Sequence, residues 1–213
     1  MSNEIFKWMP HLVSYEDSIA YDTIVSAFEN GMTQRRSRFG RPIRRWKFNY
    51  NPNLLSQDGV RKLQDEILEF FKRMKGKYDN FWLPSWELEA KAVSTTANTI
   101  TLNSDASKFG FCSGEGVYGN YLYICNHPYI GYETTNHYQA VTQVTNVDDT
   151  VISVSPAIDH VHMGAGSLVM KCCKAYFASD ELTRGYDTPH VWKADIEILE
   201  DVADMYQLGT NWS

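Results

Sequence analysis

The sequence predicts a mainly β protein with one long helix, and three observations lead to that prediction. Two segments far apart in the chain alternate apolar and polar residues, as half-buried strands do. One segment repeats its apolar residues every three or four positions, as an amphipathic helix does. A third region, residues 92–167, holds short apolar runs separated by turn residues and only one basic residue. A sheet covered by one helix, with a second β unit inserted, accounts for all three.

The helix is predicted at about residues 57–75. Ser56 is suited to cap its first turn, and Gly76 is suited to end it. Lys72 and Arg73 occupy the last turn, where positive charge favours a helix. We expect the apolar stripe to pack against the sheet; it consists of Val60, Leu63, Ile67, Phe70, Phe71 and Met74.

The two alternating segments predict strands of one sheet, near residues 45–50 and 190–199. The apolar faces consist of Trp46, Phe48 and Tyr50 in the first and Trp192, Ala194, Ile196 and Ile198 in the second. The opposite faces carry Arg45, Lys47 and Asn49, and Lys193, Asp195 and Glu197. We assign this sheet and the helix to a first domain made of residues 1–91 and 168–213.

Residues 92–167 are predicted to form a small inserted β-barrel or sandwich whose two ends lie close together. Strands are indicated at 99–102 and 121–124, and a hairpin is indicated by the runs VTQV and VISV around Asn146–Asp149. The chain returns to the first domain through a strand that begins near Leu168. The adjacent Cys172 and Cys173 in that strand predict one thiol in the core and one outside.

Composition favours a protein that folds in a reducing cytoplasm. The four cysteines form no C-x-x-C pair, no apolar stretch approaches 18 residues, and the first residues lack a secretion signal. We therefore expect reduced thiols and no membrane span. The net charge of −6 argues against nucleic-acid binding by the surface as a whole.

No arrangement of residues in the sequence predicts catalysis, a metal or a cofactor. His160 and His162 would project from one face of a strand, but no carboxylate or thiolate completes a metal site with His127 or His137. The glycines between 110 and 119 lack the context of a phosphate loop. A pair of glycosidase carboxylates leaves no mark in a single sequence, so a hydrolase stays an alternative. The expectation is a protein that is not an enzyme.

A basic segment stands apart from the rest of the chain. Residues 35–47 hold seven of the 20 Lys and Arg and no acid, while the whole chain has 26 acidic residues. Such a segment contacts a phosphate backbone, the acidic surface of another protein copy, or only solvent. We expect contact with another subunit or a neighbouring protein, without sequence-specific nucleic-acid binding. The candidate contact residues are Arg35, Arg36, Arg38, Arg41, Arg44 and Arg45.

Tyrosines are concentrated in the predicted insert. Their rings suit a barrel core, a protein interface or stacking on sugars. The candidates for contact with a glycan or a partner are Tyr118, Tyr121, Tyr129, Tyr132 and Tyr138.

The order of the elements resembles a phage family. A basic segment, the strand RRWKFNY, the helix SQDGVRKLQDEILEFFKRMKG, the aromatic strand FWLP and then an inserted β unit follow one another. This order is similar to that of the distal tail proteins, or tail-tip hub proteins, of long-tailed bacteriophages. The dense arginine at 35–45 has no known role in that family.

The resemblance implies a tail-tube-like β-sandwich flanked by a helix, with an inserted barrel related to the oligonucleotide/oligosaccharide-binding (OB) fold. It also implies a homo-hexameric ring around the DNA channel, between the tail tube protein and tip hub or baseplate proteins. Such a protein is made in the host cytoplasm and resides at the virion tail tip. The alternative is a carbohydrate-binding accessory protein whose inserted barrel contacts host surface glycans.

Overall fold

A computed structural model describes ten stretches of the chain, which fall into two compact units. The described residues are 4–6, 14–21, 23–27, 32–37, 42–50, 57–85, 89–114, 119–126, 138–188 and 191–202. The barrel unit comprises residues 1–11 and 81–174, and the helical unit comprises residues 12–80 and 175–213. Of the described residues, 54% are in strands and 11% are helical, which confirms the mainly β prediction.

The described residues form thirteen strands and one α-helix. They are β1 (Ser14–Ala20), β2 (Thr23–Ala27), β3 (Thr33–Ser37), β4 (Ile43–Tyr50), α1 (Gln57–Met74), β5 (Phe81–Pro84), β6 (Ala90–Thr95), β7 (Thr99–Leu102), β8 (Tyr121–Cys125), β9 (Gln139–Asp148), β10 (Val151–Ser155), β11 (Leu168–Phe177), β12 (Arg184–Thr188) and β13 (Val191–Glu200). A short 3₁₀ turn at Ala106–Phe109 follows β7.

The sheet of the helical unit contains both strands that the alternation predicted. β4 lies between β1 and β13, and all of these pairs are antiparallel. Trp46, Phe48 and Ile198 are buried on one face, whereas Arg45 and Lys47 are exposed on the other. β13 pairs with β12 through its first residues and with the end of β11, residues 175–177, through its last ones. β2 and β3 form a separate two-stranded hairpin.

The helix α1 ends one residue before the predicted boundary. Ile67, Phe70 and Met74 are buried, so the described part of the apolar stripe faces inward as expected. The rings of Phe70 and Phe71 lie 6.0 and 4.9 Å from the ring of Phe177 in β11. In the described part of the chain, no helix combines the length and the hydropathy needed to cross a membrane.

The barrel unit is built on a closed ring of strands. The ring runs β6, β7, β10, β9, β8, β11 and back to β6, and every pair in it is antiparallel. Buried side chains from all six strands meet inside it, including Ala92, Ile100, Leu122, Val144, Ile152 and Val169. The OB-fold has five strands. This ring therefore differs from the expected OB-like barrel by one strand.

The expected insert, residues 92–167, lies inside the barrel unit, and its two ends meet. The N–H of Ala92 donates to the carbonyl of Ser167 at 2.9 Å, and the N–H of Gly166 donates to the carbonyl of Ala92 at 2.8 Å. The unit extends beyond the expected bounds because β6 and most of β11 close the ring, and because β5 pairs with β11. The hairpin is confirmed, but its turn is at residues 149–150, since β9 continues to Asp148.

The prediction for the adjacent cysteines in β11 is wrong, because both thiols are buried. Leu168 to Cys173 are buried at every position, so this part of the strand is covered on both faces. One face points into the ring. The other packs in a second cluster that contains Tyr123, Met170 and Cys172. Burial raises the pKa of Cys172 well above its ordinary value.

Candidate functional site

Strands β1 and β2 of the helical unit expose all of their side chains. Every residue of Ser14–Ala20 and of Thr23–Ala27 is exposed. The exposed apolar side chains include Ile19, Ile24 and Val25, whose exposed fractions are 56%, 48% and 56%. Among the described strands, β1 pairs with β4 alone, so no described strand covers its other edge. Open edges and exposed apolar strands are features of surfaces that pair with another chain.

The arginines predicted to contact partners divide into three groups. Arg35 and Arg36 lie on β3, opposite Val25 and Ile24 of β2, and Arg35 is exposed. Arg44 and Arg45 lie on β4. Arg38 and Arg41 lie outside the described residues.

The two arginines of β4 already pair with carboxylates of the same unit. The Arg44 guanidinium lies 3.5 Å from a carboxylate oxygen of Asp17, and its backbone N–H donates to the carboxylate of Glu200 at 3.1 Å. Arg45 donates to the carboxylate of Glu197, and this hydrogen bond raises the pKa of Arg45. Of the three candidate arginines whose side chains the structure describes, Arg35 on the β2–β3 hairpin is thus the better candidate for contact with another molecule.

A cavity of about 400 Å³ opens in the helical unit beside β13. It lies where β13 changes its partner from β12 to β11, and there the N–H of Ala178 donates to the carbonyl of Glu197 at 2.9 Å. The aromatic rings in its wall are those of Phe71 and Phe177, while the charged groups are Lys47, Glu181, Asp195 and Glu197. The described residues of the wall thus combine apolar rings with three carboxylates and one ammonium.

The carboxylates of this cavity differ in their surroundings. The amide of Asn49 donates to Asp195 at 2.8 Å, and Arg45 donates to Glu197. The side chain of Glu181 is exposed, and its backbone N–H donates to the hydroxyl of Ser179 at 3.0 Å, which fixes the backbone at this point. Glu181 is therefore the carboxylate that an incoming cation meets with the least rearrangement.

No family model matches this chain, and no curated protein matches its sequence.

Two of the five candidate tyrosines can be placed, and both rings already pack against a neighbour. The ring of Tyr121 lies 4.8 Å from that of Trp82, and the ring of Tyr138 stacks on His162 at 3.9 Å with an interplanar angle of 14°. Both tyrosines are half-buried. The other three candidates, Tyr118, Tyr129 and Tyr132, lie outside the described residues.

His160 and His162 lie in a turn and not on a strand, which corrects the prediction, and His127 and His137 lie outside the described residues. β10 ends at Ser155, next to Pro156, which has no N–H to continue the ladder. His162 lies 2.7 Å from the carboxylate of Asp159, and this hydrogen bond lowers the pKa of Asp159. Among the described residues, no three His, Cys, Asp or Glu side chains form a group that could hold a metal ion.

The sequence reasoning missed β1, the β2–β3 hairpin and the cavity. A signal for β1 and β2 was present in residues 14–27, which are rich in β-branched and aromatic residues and contain no Gly or Pro. The cavity had no sequence signal, because its wall combines residues from β4, α1, β11 and β13.

Proposed function

We propose that this chain is a structural subunit that assembles with further copies of itself into a ring. The observation that carries the proposal is that every residue of β1 and β2 is exposed, with Ile19, Ile24 and Val25 among them. Soluble monomers cover or charge such edges because open strands pair with other chains. A copy that pairs here removes apolar surface from water and satisfies the open edge.

A ring requires a contact that joins two different surfaces of the chain. β1 and the β2–β3 hairpin are different surfaces, and a contact that joins two different surfaces is heterologous. Heterologous contacts repeat from one copy to the next and close into a ring when the rotation between copies is a fraction of a full turn. A structural role of this kind needs neither a catalytic group nor a cofactor.

We further propose that the ring is the distal tail component of a long-tailed bacteriophage, located at the virion tail tip. It would join the tail tube protein to tip hub or baseplate proteins around the DNA channel, as a homo-hexamer. The support is the order of basic segment, strand, helix and FWLP strand, followed by a β-barrel, which resembles that family. The described structure has these elements in that order, from β3 and β4 through α1 and β5 to the barrel.

The test is the mass of the particle in solution. Light scattering coupled to size-exclusion chromatography should give a multiple of the 24.5 kDa chain, and negative-stain electron microscopy should show rings. The paired substitutions Ile24→Ser and Val25→Ser should shift the equilibrium towards the monomer. A control with Val93→Ser and Val161→Ser removes two exposed valines from the barrel unit and should assemble like the parent. A parent protein that stays monomeric at high concentration contradicts the proposal.

A second candidate function is glycan binding by the barrel unit. The observation that favours it is the half-buried Tyr138 ring stacked on His162, because flat aromatic surfaces bind sugar rings. A glycan array should then give specific signals that disappear in Tyr138→Ala but persist in Lys108→Ala, a change at an exposed lysine of the same unit. An array without signals at high protein concentration contradicts this candidate and leaves the ring proposal unaffected.

A further inference from the structure

We propose that the cavity beside β13 receives strand β3 of a second copy of this chain, with Arg35 as the side chain that enters it. This inference rests on the proposed ring assembly and specifies one of its contacts. The chemistry of the cavity wall and the charge and exposure of the hairpin support a second copy of this chain as the occupant.

The wall of the cavity suits a guanidinium group. Phe71 and Phe177 supply ring surfaces, on which a flat cation stacks favourably. Glu181, Asp195 and Glu197 supply carboxylates at the same place, which bind the N–H groups of a guanidinium. Lys47 is the one cation among the described residues of the wall, and Arg45 pairs with Glu197 beside it, so an excess of one negative charge remains among these described groups. An anionic ligand would be repelled, and a purely apolar ligand would cover the exposed carboxylate of Glu181 without pairing it.

The β2–β3 hairpin offers the matching group. Arg35 is exposed on β3, and its cross-strand neighbour Val25 is 56% exposed on β2. A two-stranded hairpin is only marginally stable by itself in water, so docking on another surface would stabilise it. The hairpin therefore presents a cation next to apolar surface, and the cavity wall presents carboxylates next to apolar surface.

The remaining charges of the chain favour a second copy as the source of the arginine. The acidic residues outside the basic segment outnumber the basic ones, with 26 acids against 13 of the 20 Lys and Arg. Copies of one chain that carry separate basic and acidic surfaces attract one another in a head-to-tail order. The hairpin of each copy would then occupy the cavity of the next.

The experiment is a charge exchange between the two proposed partners. Arg35→Glu and Glu181→Arg are prepared singly and together in the full-length chain, and self-association is measured by sedimentation velocity at several salt concentrations. Each single variant should weaken association about tenfold at low salt, because like charges then meet at the contact. The double variant should recover most of the loss, since opposite charges then face each other again, with their positions exchanged between the hairpin and the cavity.

Matched controls separate this contact from general charge effects. Lys91→Glu and Glu89→Arg make the same changes of charge at exposed positions of the barrel unit and should associate like the parent. Circular dichroism verifies that every variant is folded, and Arg35→Gln provides a milder change at the same site.

The outcomes distinguish this inference from the function on which it rests. A parent that forms rings while both single variants assemble equally well overturns the inference and leaves the ring standing. Single variants that lose assembly without recovery in the double variant overturn the pairing of Arg35 with Glu181. A parent that is monomeric under all conditions refutes the ring and this contact together.

Discussion

Replacing Phe70 by Ala tests how the helix is held in its unit. Phe70 is fully buried, and its ring meets that of Phe177 edge-on with centroids 6.0 Å apart. The guanidinium of Arg73 lies 5.5 Å from the Phe70 ring centroid. The substitution removes the ring from a fully enclosed position, so the loss includes both the transfer of apolar surface and the cavity left behind.

The expected cost follows from these contacts. Burial of a phenylalanine removes about 150–250 Å² from water, which at about 25 cal/mol per Å² corresponds to several kcal/mol. The edge-on ring pair contributes about 0.5–1.5 kcal/mol beyond its area. Since Ala retains part of the buried surface, we expect a loss of about 3–5 kcal/mol in the free energy of unfolding.

Urea unfolding followed by far-ultraviolet circular dichroism measures this loss. The midpoint should fall clearly in Phe70→Ala and stay close to that of the parent in Lys72→Ala. Lys72 lies on the exposed side of the same helix, where its ammonium pairs with Glu69 at 2.8 Å, and solvent screens an exposed pair of this type so that it adds little to stability. Equal midpoints for Phe70→Ala and the parent would refute the argument that the apolar stripe anchors α1.

Three further predictions concern a turn, the thiols and one carboxyl group. Gly76→Ala should reduce the free energy of unfolding by about 1–3 kcal/mol, because Gly76 has φ +62° and an added Cβ would lie 2.9 Å from the Cα of Asp180. Urea titrations measure this loss, and an unchanged midpoint would contradict the prediction. In the native protein, a thiol reagent should label Cys112 before the other cysteines, because Cys112 is half-buried and the other three are buried. The labelling of Cys112 should still be slow, because burial raises the pKa of its thiol, and all four cysteines should react after unfolding. Rapid native labelling of Cys172 would show that the barrel unit opens. The hydrogen bond with His162 lowers the pKa of Asp159, so its contribution to stability is present above the ordinary carboxyl pKa of about 3.9 and is lost as the pH falls through the lowered value. The melting temperature of Asp159→Asn should therefore lie below that of the parent near pH 5 and converge with it near pH 2, and a constant difference would contradict the assignment.

The parts of the fold that depend on local patterns were predictable from the sequence. The stripe that includes Ile67 and Phe70 located α1 to within a residue of its end, and the alternation around Phe48 and Ile196 located β4 and β13. In each case the spacing of the apolar residues matches the repeat of the helix or strand. The sequence pattern alone therefore shows which side of the element is buried.

Features that depend on distant residues were not predictable in this way. The burial of Cys172 and Cys173 arises because β11 is covered on both faces, which an alternating rule does not anticipate. The pairing of Arg45 with Glu197 joins residues 152 positions apart. The basic segment itself contains no acidic residue, and the acidic partner of Arg45 lies on another strand. The cavity beside β13 likewise depends on where two different strands, β11 and β12, end their pairing with it.

The closed ring of the barrel unit affects which amino-acid substitutions this protein can tolerate. Because each of its six strands has a hydrogen-bonded neighbour on both sides, the ring has no strand edge that a change in a connecting segment could uncover. The segment from Pro156 to Ser167, which carries Asp159 and His162, also places Ile158 and Met163 in the core of the ring, so its exposed positions, such as Val161, are the ones that can change while the ring persists. Substitutions at such exposed positions can add contacts to the barrel unit and leave β1 and the β2–β3 hairpin of the helical unit unchanged.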